Sequence, residues 1–413
     1  MLWPGILATA GLATLAAVRT GRVDQSVVMP GLLLAGLLVV IHVWLVLLGS
    51  RADQLLLPVA GALAAVGLVV VGRLDPDSLW RQMTWIVLGV AAAIAVVGLM
   101  PDPSWLKRYK YTWAVLALVI LLGTLVFGRD PHGGGARLWL MVGPVQFQPS
   151  EVLKVLLVMF LAGYLDDKRE LISSASYHLG PLRLPPLPYL APLLLMWGLS
   201  LLLLVVEKDL GLTLLLFGLF LAMLYVASSR LMYVWGGVGL FMVGAFAAYR
   251  LFGYVQTRVT GWLDPWYDPS GGSYQIVQSM LALASGGVLG TGLGHGQPDL
   301  IPAAVTDFPF AAIGEELGLA GGIAILALYL VLFYRGYRIA LNAFDPFQQL
   351  LAAGLTTVVA LQMFVIVGGN IKLIPLTGIT LPFISYGGSS LLTNFVIVGI
   401  LLSISDRSAR QPR

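Results

Sequence analysis

The chain has 413 residues, is 58% hydrophobic, and carries a formal charge of +4 with a mean hydropathy of +0.90. So much apolar surface excludes a soluble globular enzyme, and the small charge excludes an extended face for nucleic acid. The absence of cysteine excludes disulfides and thiolate metal sites.

A helix needs about 20 apolar residues to cross the hydrocarbon core, and only helices or closed barrels satisfy their backbones there. Runs such as LLLAGLLVVIHVWLVLLG show no alternation of the barrel kind. The expected fold class is therefore an all-α polytopic membrane protein. In chain order the spans fall near 2–18, 28–48, 54–72, 82–100, 111–127, 149–165, 186–206, 209–227, 232–252, 311–334, 348–369 and 386–405. The first has the length of a signal-peptide core. It lacks a basic flank and a second apolar run follows, so it reads as a retained span.

The Lys/Arg asymmetry is slight. Placing both termini in the cytoplasm puts the basic clusters WLKRYK and DDKRE inside, and leaves a surplus of basic residues outside. The longest polar connection, 253–310, then lies outside, and its piece 274–285 reads as a short surface helix. A loop of that length is unusual unless it works or binds.

Several constellations carry charge into this apolar setting. In GARLWLMVGPVQFQPSEVLKVLL, Pro149 suits a helix start, and Glu151 and Lys154 share a helical face. The pair either pins the bundle or lines a cavity where Lys154 meets an anion. Arg137, just ahead, is an interfacial anchor or a phosphate ligand. Asp209, in EKDLGLTLL, has the position of an N-cap, and Gly211 allows close helix packing.

Further on, Asp264 and Asp268 stand in Asp-Pro turns, with a divalent cation as the lesser reading. Gln275 and Gln278 share a helical face that suits a sugar or the membrane surface. His132 and His295 stand alone, without zinc-site spacing.

In AAVTDFPFAAIGEELG, Asp307 stands two residues before the helix-opening Pro309, a spacing that weakens the capping reading without removing it. Glu315 and Glu316 lie about 12 Å further along the axis. They point about 100° apart, so only one is expected to face a given cavity. Their cationic partner is expected among Lys154, Arg258 and Lys372. The stretch NIKLIPLTGITLPFISYGGSSLLTNF, with Lys372, Pro375 and Pro382, reads as irregular backbone lining a cavity. There Ser385, Ser389 and Ser390 either repair freed backbone groups or meet a ligand.

GARLW…FQPSEVLK, the DP…DP…SYQ…QS segment, TDFPFAAIGEELG and LIPLTGITLPFISYGGSSLL, in this order, resemble the SEDS family of RodA, FtsW and SpoVE. The resemblance covers about 54–405 and implies a ten-helix core at 51–413. It leaves a two-helix N-terminal addition at 1–50, and puts the large extracellular loop 253–310 between core helices 7 and 8.

It also implies a peptidoglycan glycosyltransferase of the bacterial cytoplasmic membrane. Such an enzyme polymerises lipid II at the outer face, for elongation or division, beside a class B penicillin-binding protein transpeptidase. The family's essential aspartate corresponds to Asp307, although the histidine usual before the threonine is Val305 here. Its Glu–Lys pair corresponds to Glu151 and Lys154, and its P-D-L-G motif is K-D-L-G here, retaining Asp209 beside Lys208.

Inverting transfer needs one base for the acceptor hydroxyl. It also needs positive charge for the departing pyrophosphate, from Arg137, Lys154, Arg258 or Lys372, or from a divalent cation such as Mg or Mn. Gln275, Gln278, Asp209 and Ser385 complete the expected substrate-binding set, and Glu315 and Glu316 are expected to be structural. The alternative activity is a lipid II flippase. That reading wants a midplane site and pseudo-symmetric halves, neither of which the sequence offers.

Overall fold

A computed structural model describes the chain except for 101, 130–137, 143, 144, 174–176, 180, 181, most of 185–207, and 411–413. The helices, in chain order, are α1 (Trp3–Thr20), α2 (Gln25–Leu47), α3 (Leu56–Leu74), α4 (Leu79–Leu99), α5 (Trp105–Arg108), α6 (Lys110–Phe127) and α7 (Pro149–Ser173). They continue as α8 (Leu210–Ser228), α9 (Leu231–Leu251), α10 (Gly253–Leu263), α11 (Tyr274–Gly286), α12 (Pro309–Asn342), α13 (Pro346–Asn370) and α14 (Gly388–Arg410). Nine helices among the described residues are long and apolar enough to span a membrane. The predicted spans at 2–18 and 149–165 are also helical, as α1 and α7. The predicted span at 186–206 lies almost wholly outside the described residues.

Two hairpins escaped the sequence reading, Leu140–Val142 with Val145–Phe147 and Tyr177–Leu179 with Leu182–Leu184. So did α10, whose sequence GYVQTRVTGWL has too few apolar residues to announce itself.

The bundle centres on α3, α13 and α14, which are buried on most sides. Helices apolar all round are the ones that go inside. α9 instead turns Trp235, Met242, Val243 and Phe246 outward, as a lipid-facing helix should. At Gly67 on α3 a Cβ would lie 2.5 Å from the Phe383 carbonyl oxygen, so only glycine lets the irregular 371–387 backbone reach the middle of the bundle. α1 packs on both α2 and α3, and Arg19 donates to the Gly72 and Arg73 carbonyls at the end of α3. At the far end of the bundle, Lys107 holds Asp166 at 2.7 Å and Asp167 at 3.1 Å. Burial pulls the Lys107 ammonium down, but hydrogen bonds to these two carboxylates outweigh it and leave it above the ordinary lysine range.

α12 is not one continuous helix. Gly318 has φ +67° and ψ −168°, a conformation essentially reserved for glycine, and it breaks the helix. The 287–292 loop repairs the break. Thr291 and Gly292 donate to the Glu315 and Glu316 carbonyls, each at 3.0 Å. In return Leu319 and Ala320 donate to Gly287 and Val288, also each at 3.0 Å. No backbone group of this exchange is left bare, which the membrane requires.

Gly318→Ala should therefore cost about 1–3 kcal/mol from backbone strain alone. A Cβ there would also lie 2.3 Å from the Gly290 nitrogen, adding a collision. A lowered unfolding midpoint in detergent is the expected result, and an unchanged midpoint would show that the break does not hold the loop.

Candidate active site

Residues 376–380, LTGIT, form the hub on which the charged residues converge. Arg258 Nη1, on α10, donates to the Leu376 carbonyl at 2.9 Å. One helical turn along α10, Trp262 Nε1 donates to the Lys372 carbonyl at 3.1 Å. Gly211, in the first turn of α8, lies so near that a Cβ would sit 2.9 Å from the Thr377 carbonyl oxygen. Gly378, at φ +72°, faces Asp307, since a Cβ built on it would come 3.6 Å from Asp307 Oδ2. Thr380 closes the hub by accepting Gln362 Nε2, at 2.9 Å to its carbonyl and 3.1 Å to its hydroxyl.

Asp307 is half-buried at the entry to α12, where Pro309 takes one of the first helical positions. Its own N–H donates to the Ala303 carbonyl at 2.9 Å, and its carbonyl accepts Asn370 Nδ2 at 2.9 Å. The preceding Thr306 carbonyl accepts Ser385 Oγ at 2.6 Å, and the Val305 carbonyl accepts the Tyr386 N–H at 2.9 Å. Every residue from 305 to 307 is thus tied to α13 or to the irregular stretch before α14. A backbone held on both sides gives its carboxylate a fixed origin, which preorganised chemistry needs. Phe308, not Asp307, occupies the cap position, as expected from the spacing.

Ser385 departs from the expected substrate-binding role. It is buried, donating to Thr306 and accepting the Leu381 N–H at 2.8 Å, so its hydroxyl is consumed in holding Asp307's segment. Ser389 likewise accepts the Gln148 N–H at 2.8 Å, so the backbone-repair reading fits both.

Lys154 is only 1% exposed and donates to Glu151 Oε2 and Gln362 Oε1, each at 2.6 Å. The sequence left open a cavity-lining pair or an internal one, and the structure has the internal one. Gln362 links it through Thr380 to the hub, within reach of Asp307's neighbours. Asp209 caps α8, accepting the Leu212 N–H at 3.0 Å, and feels the charges of Arg258, Glu151 and Lys154.

Glu315 and Glu316 also differ from expectation. Both meet the same loop, Glu315 accepting the Gln297 N–H at 2.7 Å and Glu316 the Gly294 N–H at 3.0 Å. The helix breaks just beyond them, and the loop folds back over the break to meet both. Their cationic partner is none of the three expected. Arg73 Nε, from α3, binds Glu316 Oε1 at 2.6 Å and also bridges to Asp299 at 3.1 Å.

Lys372, at φ +60°, is half-buried, and its ammonium meets no acceptor among the described residues. Gln275 and Gln278 are half-buried on α11, with side chains that make no hydrogen bond among the described residues. Their neighbour Ser279 donates to the Asn370 carbonyl at 2.9 Å and so anchors the helix that holds Asp307. Arg137 lies outside the described residues. Asn370, Gln362, Gly378 and Arg73 were missed by the sequence reading, and only LTGIT, a short polar interruption in an apolar run, hinted at the hub.

Among the described residues no three Asp, Glu or His side chains come together as metal ligands. Asp268 instead closes its own turn, accepting the Gly272 N–H at 2.7 Å. These residues do not build a divalent-cation site of their own.

Residues 53–410 match the family of FtsW, RodA and SpoVE, described as cell cycle proteins. The chain belongs to this family. It is 46% identical over 371 residues to the peptidoglycan glycosyltransferase RodA of Mycobacterium tuberculosis, covering 87% of this chain and 79% of that one. With the probable peptidoglycan glycosyltransferase FtsW of Geobacter metallireducens the identity is 36% over 376 residues, covering 88% and 97%.

Among solved structures, the chain superposes on the rod shape determining protein RodA of Thermus thermophilus with a TM-score of 0.63, at 26% identity over 88% and 99% of the two chains. It also matches a chain of a peptidoglycan synthase complex that coordinates polymerization and crosslinking, with a TM-score of 0.70 and 28% identity over 87% and 99%. The SEDS match begins just before α3, so α1 and α2 precede the matched stretch.

Proposed function

We propose that Asp307 is the general base with which this chain joins lipid II units into glycan strands. The protein is a multi-pass membrane protein and a peptidoglycan glycosyltransferase of the SEDS family. The observation that carries the assignment is the setting of Asp307: a half-buried carboxylate, fixed by its backbone, facing Gly378 on a loop that also bears Lys372 and is gripped by Arg258.

The acceptor 4-hydroxyl attacks the anomeric carbon of the donor as the bond from that carbon to the lipid pyrophosphate breaks. The hydroxyl proton passes to Asp307, and the configuration inverts. The pyrophosphate leaves with its electron pair and meets the Lys372 and Arg258 cations. No covalent enzyme intermediate is needed. A divalent cation, Mg or Mn, would take its ligands from the pyrophosphate itself, and no step here depends on it. Gln275 and Gln278, on the helix beside Asn370, would hydrogen-bond the sugars. Arg137, Lys154 and Asp209 would act on the leaving group through charge.

In this reading Asp307 opens to the outer face of the bacterial cytoplasmic membrane, both termini are cytoplasmic, and a class B penicillin-binding protein cross-links the product. The lipid II flippase reading fits less well, because the fixed carboxylate and basic loop gather at one end of the bundle. Lys372→Met, reconstituted with lipid II, should polymerise roughly 10²–10³-fold more slowly, as expected for loss of one electrostatic stabiliser. Wild-type polymerisation by that variant would remove Lys372 from the mechanism. Scrambling of lipid II across proteoliposomes without polymer formation would favour the flippase.

A further inference from the structure

The end of the bundle opposite Asp307 holds a second polar cavity. α12 begins beside Asp307 and, past its break at Gly318, continues to its last turns at the other end of the bundle. There Arg335, Arg338 and Phe344 meet Arg51 and Leu55, from the connection ahead of α3, and Ser408 of α14. Together these elements line an open cleft of about 750 Å³.

The charge in this cavity is unbalanced. Arg335 pairs with Asp53, whose other oxygen caps α3 by accepting the Leu55 and Leu56 N–H groups at 3.0 and 3.1 Å. Arg335 Nε is nevertheless buried without an acceptor. Arg51 and Arg338, both exposed at the mouth, line the same space, and their guanidinium groups have no partner among the described residues. Asp406, close by in sequence to the α14 wall, is already occupied by Arg410 at 2.7 Å. A buried guanidinium nitrogen without an acceptor costs free energy, and two further unpaired guanidinium groups add a field that an anion would answer.

The rim identifies the kind of anion. Leu55 is 49% exposed and Phe344 75% exposed on the cavity wall, and Leu341 is 83% exposed on the same end of α12. Apolar side chains beside unpaired arginines suit an amphiphile, with its phosphate among the guanidinium groups and its acyl chain along the leucines and phenylalanine. The plainer reading, arginines that merely favour one side of the membrane, explains their charge. It does not explain their convergence on one cavity or the acceptor-less Nε.

We propose that this cavity binds the phosphate headgroup of an anionic phospholipid. The test uses the full-length protein in neutral detergent, with phosphatidylglycerol, phosphatidylcholine of the same chains, and inorganic phosphate as probes. Native mass spectrometry and the unfolding midpoint give the readouts. Phosphatidylglycerol should bind at least tenfold more tightly than phosphatidylcholine. Arg51→Gln/Arg338→Gln should abolish that preference, whereas Arg108→Gln, an exposed arginine elsewhere, should keep it. Arg338→Lys, which retains the charge, should keep part of it and shows that a loss is not misfolding.

Equal binding of the two lipids would overturn the proposal, as would a preference that survives the double substitution. A full shift with inorganic phosphate alone would assign the cavity to a soluble anion and overturn it too.

Discussion

Lys154→Met should destabilise the protein by about 3–5 kcal/mol, the usual cost of removing one partner from a buried ion pair. The substitution leaves the Glu151 carboxylate 5% exposed, with its ammonium gone. It also strips Gln362 Oε1 of its donor at 2.6 Å, and Gln362 is the link to Thr380. Glu151 stands in the first turn of α7, where the helix dipole offsets part of its charge, but that effect is about 1 kcal/mol.

The double variant Glu151→Gln/Lys154→Met removes both charges and should recover a good part of the loss. Thermal or denaturant unfolding in detergent measures both. If Lys154→Met unfolds like the wild type and loses only polymerisation, the pair is a direct ligand of the substrate. Loss of stability together with activity identifies it as the brace beneath the hub.

The sequence shows most of the fold because a membrane makes length and hydropathy decisive. The described helices that answer to predicted runs begin and end within a few residues of them, apart from α7, α12 and α14, which run past their apolar cores into polar turns. What it hides are features that depend on distant partners. The break at Gly318 is masked by the neighbouring glycines of GEELGLAGG, and it exists because the 287–292 loop supplies the lost hydrogen bonds. Arg73 and Glu316 are far apart in the chain, and nothing local marks them as a pair.

The same holds at the site. Asp307 stands out in sequence as a carboxylate poorly spaced to cap its helix. Its supports do not, since Asn370 ends one helix and Ser385 lies in a loop, and each reads as an ordinary polar residue until the backbone is seen. Ser385 resembles a ligand because serines cluster around it, and burial decides otherwise. Glu315 and Glu316 read as structural in sequence; in the fold both bond to the 294–297 loop, and Glu316 also binds Arg73.

The central claim is that Asp307 takes the acceptor proton. Asn at this position keeps the shape of the side chain and the backbone bonds to Ala303 and Asn370, but it is no base at neutral pH. The direct measurement is the rate at which purified Asp307→Asn, reconstituted in proteoliposomes, polymerises lipid II. We expect a fall of roughly 10²–10⁴-fold, the range for losing a general base, with the unfolding midpoint close to that of the wild type. Polymerisation by Asp307→Asn at the wild-type rate would contradict the account.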